Sequence, residues 1–436
     1  MKTKFAIVLS TILFVLTSVN AQEKFKPLDF KAKKLVVLSD ADQLASTYVD
    51  GKSGNKTADL KDQLTIINGA TITDPSALKT APVSNSVKYW PNSLTVTPDG
   101  KYALVAELFG PAPLGESMIN DTPVGRKITI VDLETAKVIS SAEIADGVNA
   151  IDVHPSGKYV VVSTMEESKD IILFPLENGK LGKAKNIVLK ELAASILPGS
   201  KISHLTFDPT GEYLAMSSSF GDETVRFYKF NETDLTFIAY GMPVKPGKLP
   251  GIMYWTPNGK YLLVTNIGWG MDVPGMYLAP NRGTVAAIRL DRENKGENGP
   301  QNQIVSIEPA RVSPENIAVS PDGKWVVALN FEASLFPVES PNYQPFYSIS
   351  LYSLNQETGK ITLKDEFFYE GVMPEGVVFD GASKFLAVAV FDHHDANQKG
   401  GSVDFFRLLD EENPKLIQTK YSIPVMRGSH IIKRID

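Results

Sequence analysis

The stretch Asn316-Ile-Ala-Val-Ser-Pro-Asp-Gly-Lys-Trp-Val-Val-Ala-Leu329 decides the fold. It reads as an apolar strand, a Pro-Asp-Gly turn and a second apolar strand. Proline presets φ at the turn's second position and glycine supplies the positive φ that ends it. The flanking Val, Ile, Leu and Trp suit buried strands. The same unit stands at Ser93–Ala106, Ala150–Ser163, His204–Ser217 and Ile252–Thr265, and at Gly376–Ala389, where the proline is lost. Its marker prolines, Pro98, Pro155, Pro209, Pro257 and Pro321, recur about every 50–60 residues.

A second hairpin follows each unit, as in Ile128–Leu133 with Val138–Ile144, Val225–Phe230 with Thr236–Tyr240, and Ile349–Leu354 with Ile361–Phe367. Four antiparallel strands per repeat make a propeller blade. Six complete units leave Leu35–Leu38 and Leu64–Ile67 at the start and His430–Ile435 at the end. Pairing these remnants gives a seventh blade and leaves no open sheet edge. The expected fold is therefore all-β: a seven-bladed β-propeller of four-stranded antiparallel blades, closed by N- and C-terminal strands.

The chain starts with Lys2 and Lys4, an apolar run from Phe5 to Leu16, and a small residue, Ala21, before Gln22. That pattern reads as a secretory signal over residues 1–21, with one propeller domain over 22–436. It implies export to the periplasm or the cell exterior. The run is too short for a spanning helix and no second one follows, so no membrane span is expected. The absence of cysteine excludes a lipoprotein anchor, disulfides and thiolate metal sites. A formal charge of −6 without a basic stripe argues against nucleic acid.

In a propeller the first strand of each blade lines the central channel. The Pro-Asp-Gly turns lie on one face, and the long connections 39–62, 108–126, 267–282, 331–346 and 391–400 on the other. Long loops on a rigid scaffold are where binding groups collect. His204 and His430 open inner strands at the repeat position of Asn316, which aims them at the channel mouth. Glu107, Glu166, Glu223, Arg226, Arg282, Glu315, Glu332 and Glu375 are further mouth candidates. His154 sits in a turn on the far face and reads as structural. Adjacent residues of the Asp392-His-His-Asp395 run point apart on an extended chain, so no metal is expected there; no cofactor is expected either.

The repeats resemble the lactonase-type seven-bladed propellers, which include 6-phosphogluconolactonase-like and muconate-lactonising enzymes, and the related YVTN repeats. Tyr261-Leu-Leu-Val-Thr-Asn266 after Pro257-Asn-Gly-Lys260 is similar to the YVTN signature. Pro314-Glu-Asn-Ile-Ala-Val319 and Pro374-Glu-Gly-Val-Val-Phe379 resemble the family's inner strands. His204 matches a family histidine to within a residue, and Phe220-Gly-Asp-Glu-Thr-Val225 is similar to the element that follows it, with Glu223-Thr224 replacing an Asp-Arg pair. The resemblance implies hydrolysis of a lactone or sugar-acid derivative. Such chemistry needs a base for water and a cation for the oxyanion; His204 and His430 are the expected bases, Arg226 and Arg282 the expected cations. The other reading is a non-catalytic propeller that binds a ligand, a glycan or an envelope protein.

Overall fold

Glycine ends five of the repeated turns in the left-handed region: Gly100, Gly157, Gly211, Gly259 and Gly323 have φ between 64° and 76°. The sixth turn lacks both proline and terminal glycine, and Ser383 takes φ 60° instead. Asp380 offsets that strain. Its buried carboxylate accepts from the backbone N–H groups of Lys384 (2.6 Å) and Phe385 (2.9 Å), which fixes the turn by local hydrogen bonds.

The computed structural model describes residues 21–88, 90, 92–189, 200–268, 282–294, 299–393 and 400–436. Residues 1–20, His394, Asp395 and most of the 267–282 connection lie outside that set. Seven antiparallel sheets form the ring. The inner strands, in blade order, are Leu94–Val96, Val148–Val153, His204–Phe207, Pro250–Trp255, Pro314–Val319, Val372–Phe379 and Ser429–Ile435. Blade seven is built as Ser429–Ile435, Lys34–Ser39, Gln63–Asn68 and Lys79–Pro82. Its closing pair runs from Lys34 opposite Ile435 to Ser39 opposite Ser429. Among the described residues no helix is long and apolar enough to cross a membrane.

The apolar core lies between blades rather than at the centre of the ring. Val36, Leu38 and Leu64 of blade seven pack with Leu94, Ala103 and Val105 of blade one, and the same arrangement repeats around the ring. Alternation along each strand sends successive side chains to the two neighbouring blades, which explains strands such as Trp325–Asn330 that are buried throughout.

Two of the long connections are more ordered than expected. Lys52–Lys56, from blade seven, pairs with Gly115–Met118, from blade one, as a two-stranded ribbon. The link from blade seven to blade one also takes an unexpected course. These blades are neighbours, yet the chain goes the long way round the mouth. Val87 joins an apolar cap with Phe331, Phe336, Met373 and Phe391 of blades five and six. Trp90 packs with Leu249, Ile252 and Ile267 of blade four. Asn92 donates from Nδ2 to Leu205 O (3.4 Å) in blade three and accepts from Ile151 N (3.0 Å) in blade two. Residues 85–88, 90 and 92 thus form a strap over the channel mouth.

Candidate functional site at the channel mouth

Pro314 and Pro374 open the inner strands of neighbouring blades, and the residues after them, Glu315 and Glu375, are both buried. Asn316 Nδ2 donates to Glu375 O, tying the two strands together. Burial pushes the Glu315 carboxyl up to about 8. Burial also raises Glu375, and the charges of Glu315 and Asp40 raise it further. Two buried carboxyls that feel each other's charge do not both ionise near neutral pH. Both are held protonated near neutral pH, and the first to ionise, as pH rises toward 8, leaves a base beside an acid, the combination that acyl transfer to water requires.

Several buried polar atoms on the inner strands, the strap and its anchors have no protein partner. They are Glu375 Oε2, His430 Nε2, Trp90 Nε1, Ser93 Oγ, Asp40 Oδ1 and Asn85 Oδ1. Native interiors satisfy nearly all such atoms, so Glu375 Oε2 and His430 Nε2, both on inner strands, are the ones open to a polar group from outside the fold.

The four expected catalytic residues do not converge. His204 and His430 belong to blades three and seven, which are not adjacent. His204 Nδ1 accepts from Met253 N (3.3 Å), bridging blades three and four. Burial, helped by the charge of Lys433, lowers its imidazole to about 3. His430 Nδ1 lies 2.8 Å from Gly428 O, which leaves Nε2 as the lone-pair nitrogen; burial lowers this ring to about 4. Both rings are neutral at working pH. Arg226 stands on a third strand, Thr224–Asn231, buried and ion-paired to Asp222 (2.6 Å). Arg282 opens the third strand of blade four, half-exposed, and pairs with Glu366, which also meets Arg311 (3.6 Å). His154 is structural: Nε2 meets Gly211 O (2.9 Å) and the ring packs edge-on against Phe207 and Tyr159.

Lower in the channel, Asp152 Oδ2 accepts from Phe207 N (2.8 Å), and Asp152 lies near Lys433 of blade seven. Tyr254 keeps 42% of its area accessible although protein surrounds it, because it faces the lumen.

Sequence reading missed a second group of carboxylates. Asp40, Asp42 and Asp62 stand at the two ends of the 39–62 connection and are all buried, and one ligand oxygen from each lies within 4.8 Å of the others. Burial raises Asp40 well above its usual range and Asp62 to about 7; the charges of Asp62 and Asp42 add to the first, and that of Asp42 to the second. The only early signal was the Asp-x-Asp spacing of Asp40 and Asp42, which places both on one side of an extended chain. A cavity of about 360 Å³ lined by Lys56, Leu60, Asp62, Pro82, Pro111 and Leu114 opens beside this group rather than over the glutamate pair.

The buried groups set a pH dependence of stability. Glu315 is raised from 4.5, so the folded chain holds its proton more tightly than the unfolded chain; its contribution is full below about pH 4.5 and lost as pH rises through about 8. His204 and His430 are lowered from 6.5, so theirs is present above pH 6.5 and lost as pH falls toward 4 and 3. Stability is expected to fall by about 2 kcal/mol per such carboxyl between roughly pH 6.5 and 8. Glu315→Gln, which is neutral at every pH, should flatten part of that fall in urea titrations. An unchanged slope would mean that Glu315 is not held protonated.

The fold and the mouth define a closed seven-bladed propeller with a buried acid–base pair at one end of its channel. The model of the family described as "Lactonase, 7-bladed beta-propeller" matches residues 126–432, and the chain belongs to that family. Among solved structures, the periplasmic gluconolactonase of Pseudomonas aeruginosa matches 92% of this chain and 99% of its own, at TM-score 0.58 and 15% identity. A putative 6-phosphogluconolactonase from Bacteroides fragilis matches 93% and 98%, at TM-score 0.56 and 16% identity. At these identities the likeness concerns the fold. The beta subunit of hydrazine synthase from Kuenenia stuttgartiensis is 23% identical over 251 residues, 56% of this chain and 51% of that protein. The chain thus spans about half the length of that relative.

Proposed function

We propose that the mature chain is an exported lactonase that hydrolyses a sugar-acid lactone at the strapped mouth of the channel. The observation that carries this reading is the buried pair Glu315 and Glu375, set at one repeat position in adjacent blades, with Glu375 Oε2 unpartnered. Once one member has lost its proton, as pH rises toward 8, it takes a proton from water while the water oxygen bonds to the lactone carbonyl carbon. The protonated member donates to the carbonyl oxygen, where negative charge develops. When the ring C–O bond breaks, the leaving alkoxide takes the proton that the base drew from water, the carbonyl oxygen returns its proton to the other carboxyl, and the free hydroxy acid departs.

This reading moves the base role from His204 and His430 to the glutamates, because the Glu315 carboxyl, raised to about 8, lies closer to neutral pH than imidazoles lowered to about 4 and 3. His430 Nε2 remains as a neutral acceptor for a substrate hydroxyl. Arg226 and Arg282 take no step, since Asp222 and Glu366 already hold them. Family membership supports a small-molecule sugar lactone as the partner. The leader pattern of residues 1–21 supports export, as does the likeness to a periplasmic gluconolactonase. Substrate entry requires the strap to move aside.

The test is a pH-indicator assay of the purified mature chain on five- and six-membered sugar lactones, with and without a 6-phosphate. Turnover above the spontaneous rate on at least one is expected. No turnover on any, with the fold intact by circular dichroism, overturns the reading and leaves a propeller that binds without catalysis.

A further inference from the structure

We propose that Asp40, Asp42, Asp62 and the side-chain amide of Asn85 form a calcium site that pins the strap to blade seven. The anchoring is visible in the hydrogen bonds. Asp40 Oδ2 accepts from Val87 N (2.8 Å) and Asp62 Oδ2 from Asn85 N (3.2 Å), so two carboxylates of blade seven hold the first residues of the strap. Asp62 Oδ1 accepts from Ala41 N (2.9 Å), which draws both ends of the 39–62 connection together.

Among the described residues, the one cation paired with this cluster is Lys56. Lys56 pairs with Asp42, and Arg427 Nε donates to the carbonyl of Ala41 (2.9 Å) rather than to a carboxylate. Were all three carboxylates ionised, one lysine would leave two negative charges, the charge that a divalent cation offsets. Burying unpaired charge is costly enough that proteins ordinarily pair it or ligate it.

Asn85 points to a ligand independently of the acids. It is buried, its Nδ2 donates to Ser39 O (3.0 Å), and its backbone N–H goes to Asp62. The amide therefore sits between Asp62 and the chain entering Asp40, while its Oδ1 has no donor. Asp40 Oδ1 is in the same condition. An amide oxygen takes no proton at neutral pH, so an oxygen placed among carboxylates is best satisfied by a cation.

The donor set selects calcium. Every donor is oxygen, which excludes the nitrogen and sulfur preferences of zinc and copper. Ligand atoms up to 4.8 Å apart fit across an ion bound at about 2.4 Å, the calcium distance. Magnesium's tighter octahedron, near 2.1 Å, spans less and holds water strongly.

The experiment uses the full mature chain, stripped with EDTA and titrated with CaCl2 alone by calorimetry, with melting followed in parallel. One site per chain and a melting temperature raised by about 5 °C are expected, with MgCl2 giving less than half the shift. Asp62→Asn should abolish the calcium shift. Should that variant fail to fold, Lys56→Gln serves instead: removing the competing cation should tighten calcium binding by about tenfold or more. No heat and no shift in the parent overturns the site, and so does binding seen only in Lys56→Gln, because Lys56 would then be the resident counter-ion. Neither readout depends on lactone turnover.

Discussion

Deleting Ser429–Asp436 is expected to leave a chain that aggregates on expression or loses cooperative melting. The strand supplies the innermost member of blade seven, and its removal strips the backbone partners from Lys34–Ser39 over the whole closing register. Ile431, Ile432 and Ile435 are all buried, the first against blade one and the second against blade six. Each contributes about 2 kcal/mol by burial alone, and the exposed edge adds an aggregation hazard. Together these losses rival the whole stability of a typical domain, about 5–15 kcal/mol. Soluble expression with melting like the parent would mean that the ring does not depend on its closing strand.

Trp90→Ala is expected to be the most damaging single substitution at the mouth, at about 3–5 kcal/mol. The indole is buried among blade-four residues and is the strap's apolar anchor there. Gly251→Val attacks the same contact from the other side. A Cβ at Gly251 would stand 2.6 Å from the Trp90 ring, so even the first side-chain carbon displaces the indole. Both variants should melt lower and should speed amide exchange at Val87 and Asn92, while exchange in blade two stays slow. If both leave melting and exchange unchanged, the strap is not held by Trp90.

The repeat was legible because each blade depends on local grammar. Turn glycines with positive φ, alternating apolar strands and a recurring period are properties of short windows, and they located the inner strands and the closing pair. Even Asp380, where the turn grammar lapses, fits once its carboxylate replaces the missing turn chemistry. The mouth was only partly legible. Glu315 and Glu375 could be named because they occupy repeat positions. Trp90 could not, since it lies outside the repeat and its partners stand more than 150 residues away in blade four. The histidines were placed on the right strands, but repeat position says nothing of burial; the depth that lowers both rings comes from packing between blades. Asp40 and Asp62 come together through a connection that no periodicity describes.

The central claim is that the carboxyl pair at the channel mouth performs hydrolysis. It is tested most directly by comparing initial rates of the parent, Glu315→Gln and Glu375→Gln on the best sugar lactone, with His154→Ala as a control on the far face. Both glutamine variants should lose about two to four powers of ten in rate while keeping the parent's circular dichroism, and His154→Ala should keep its rate wherever it folds. Turnover by both glutamine variants at the parent's rate would contradict the account.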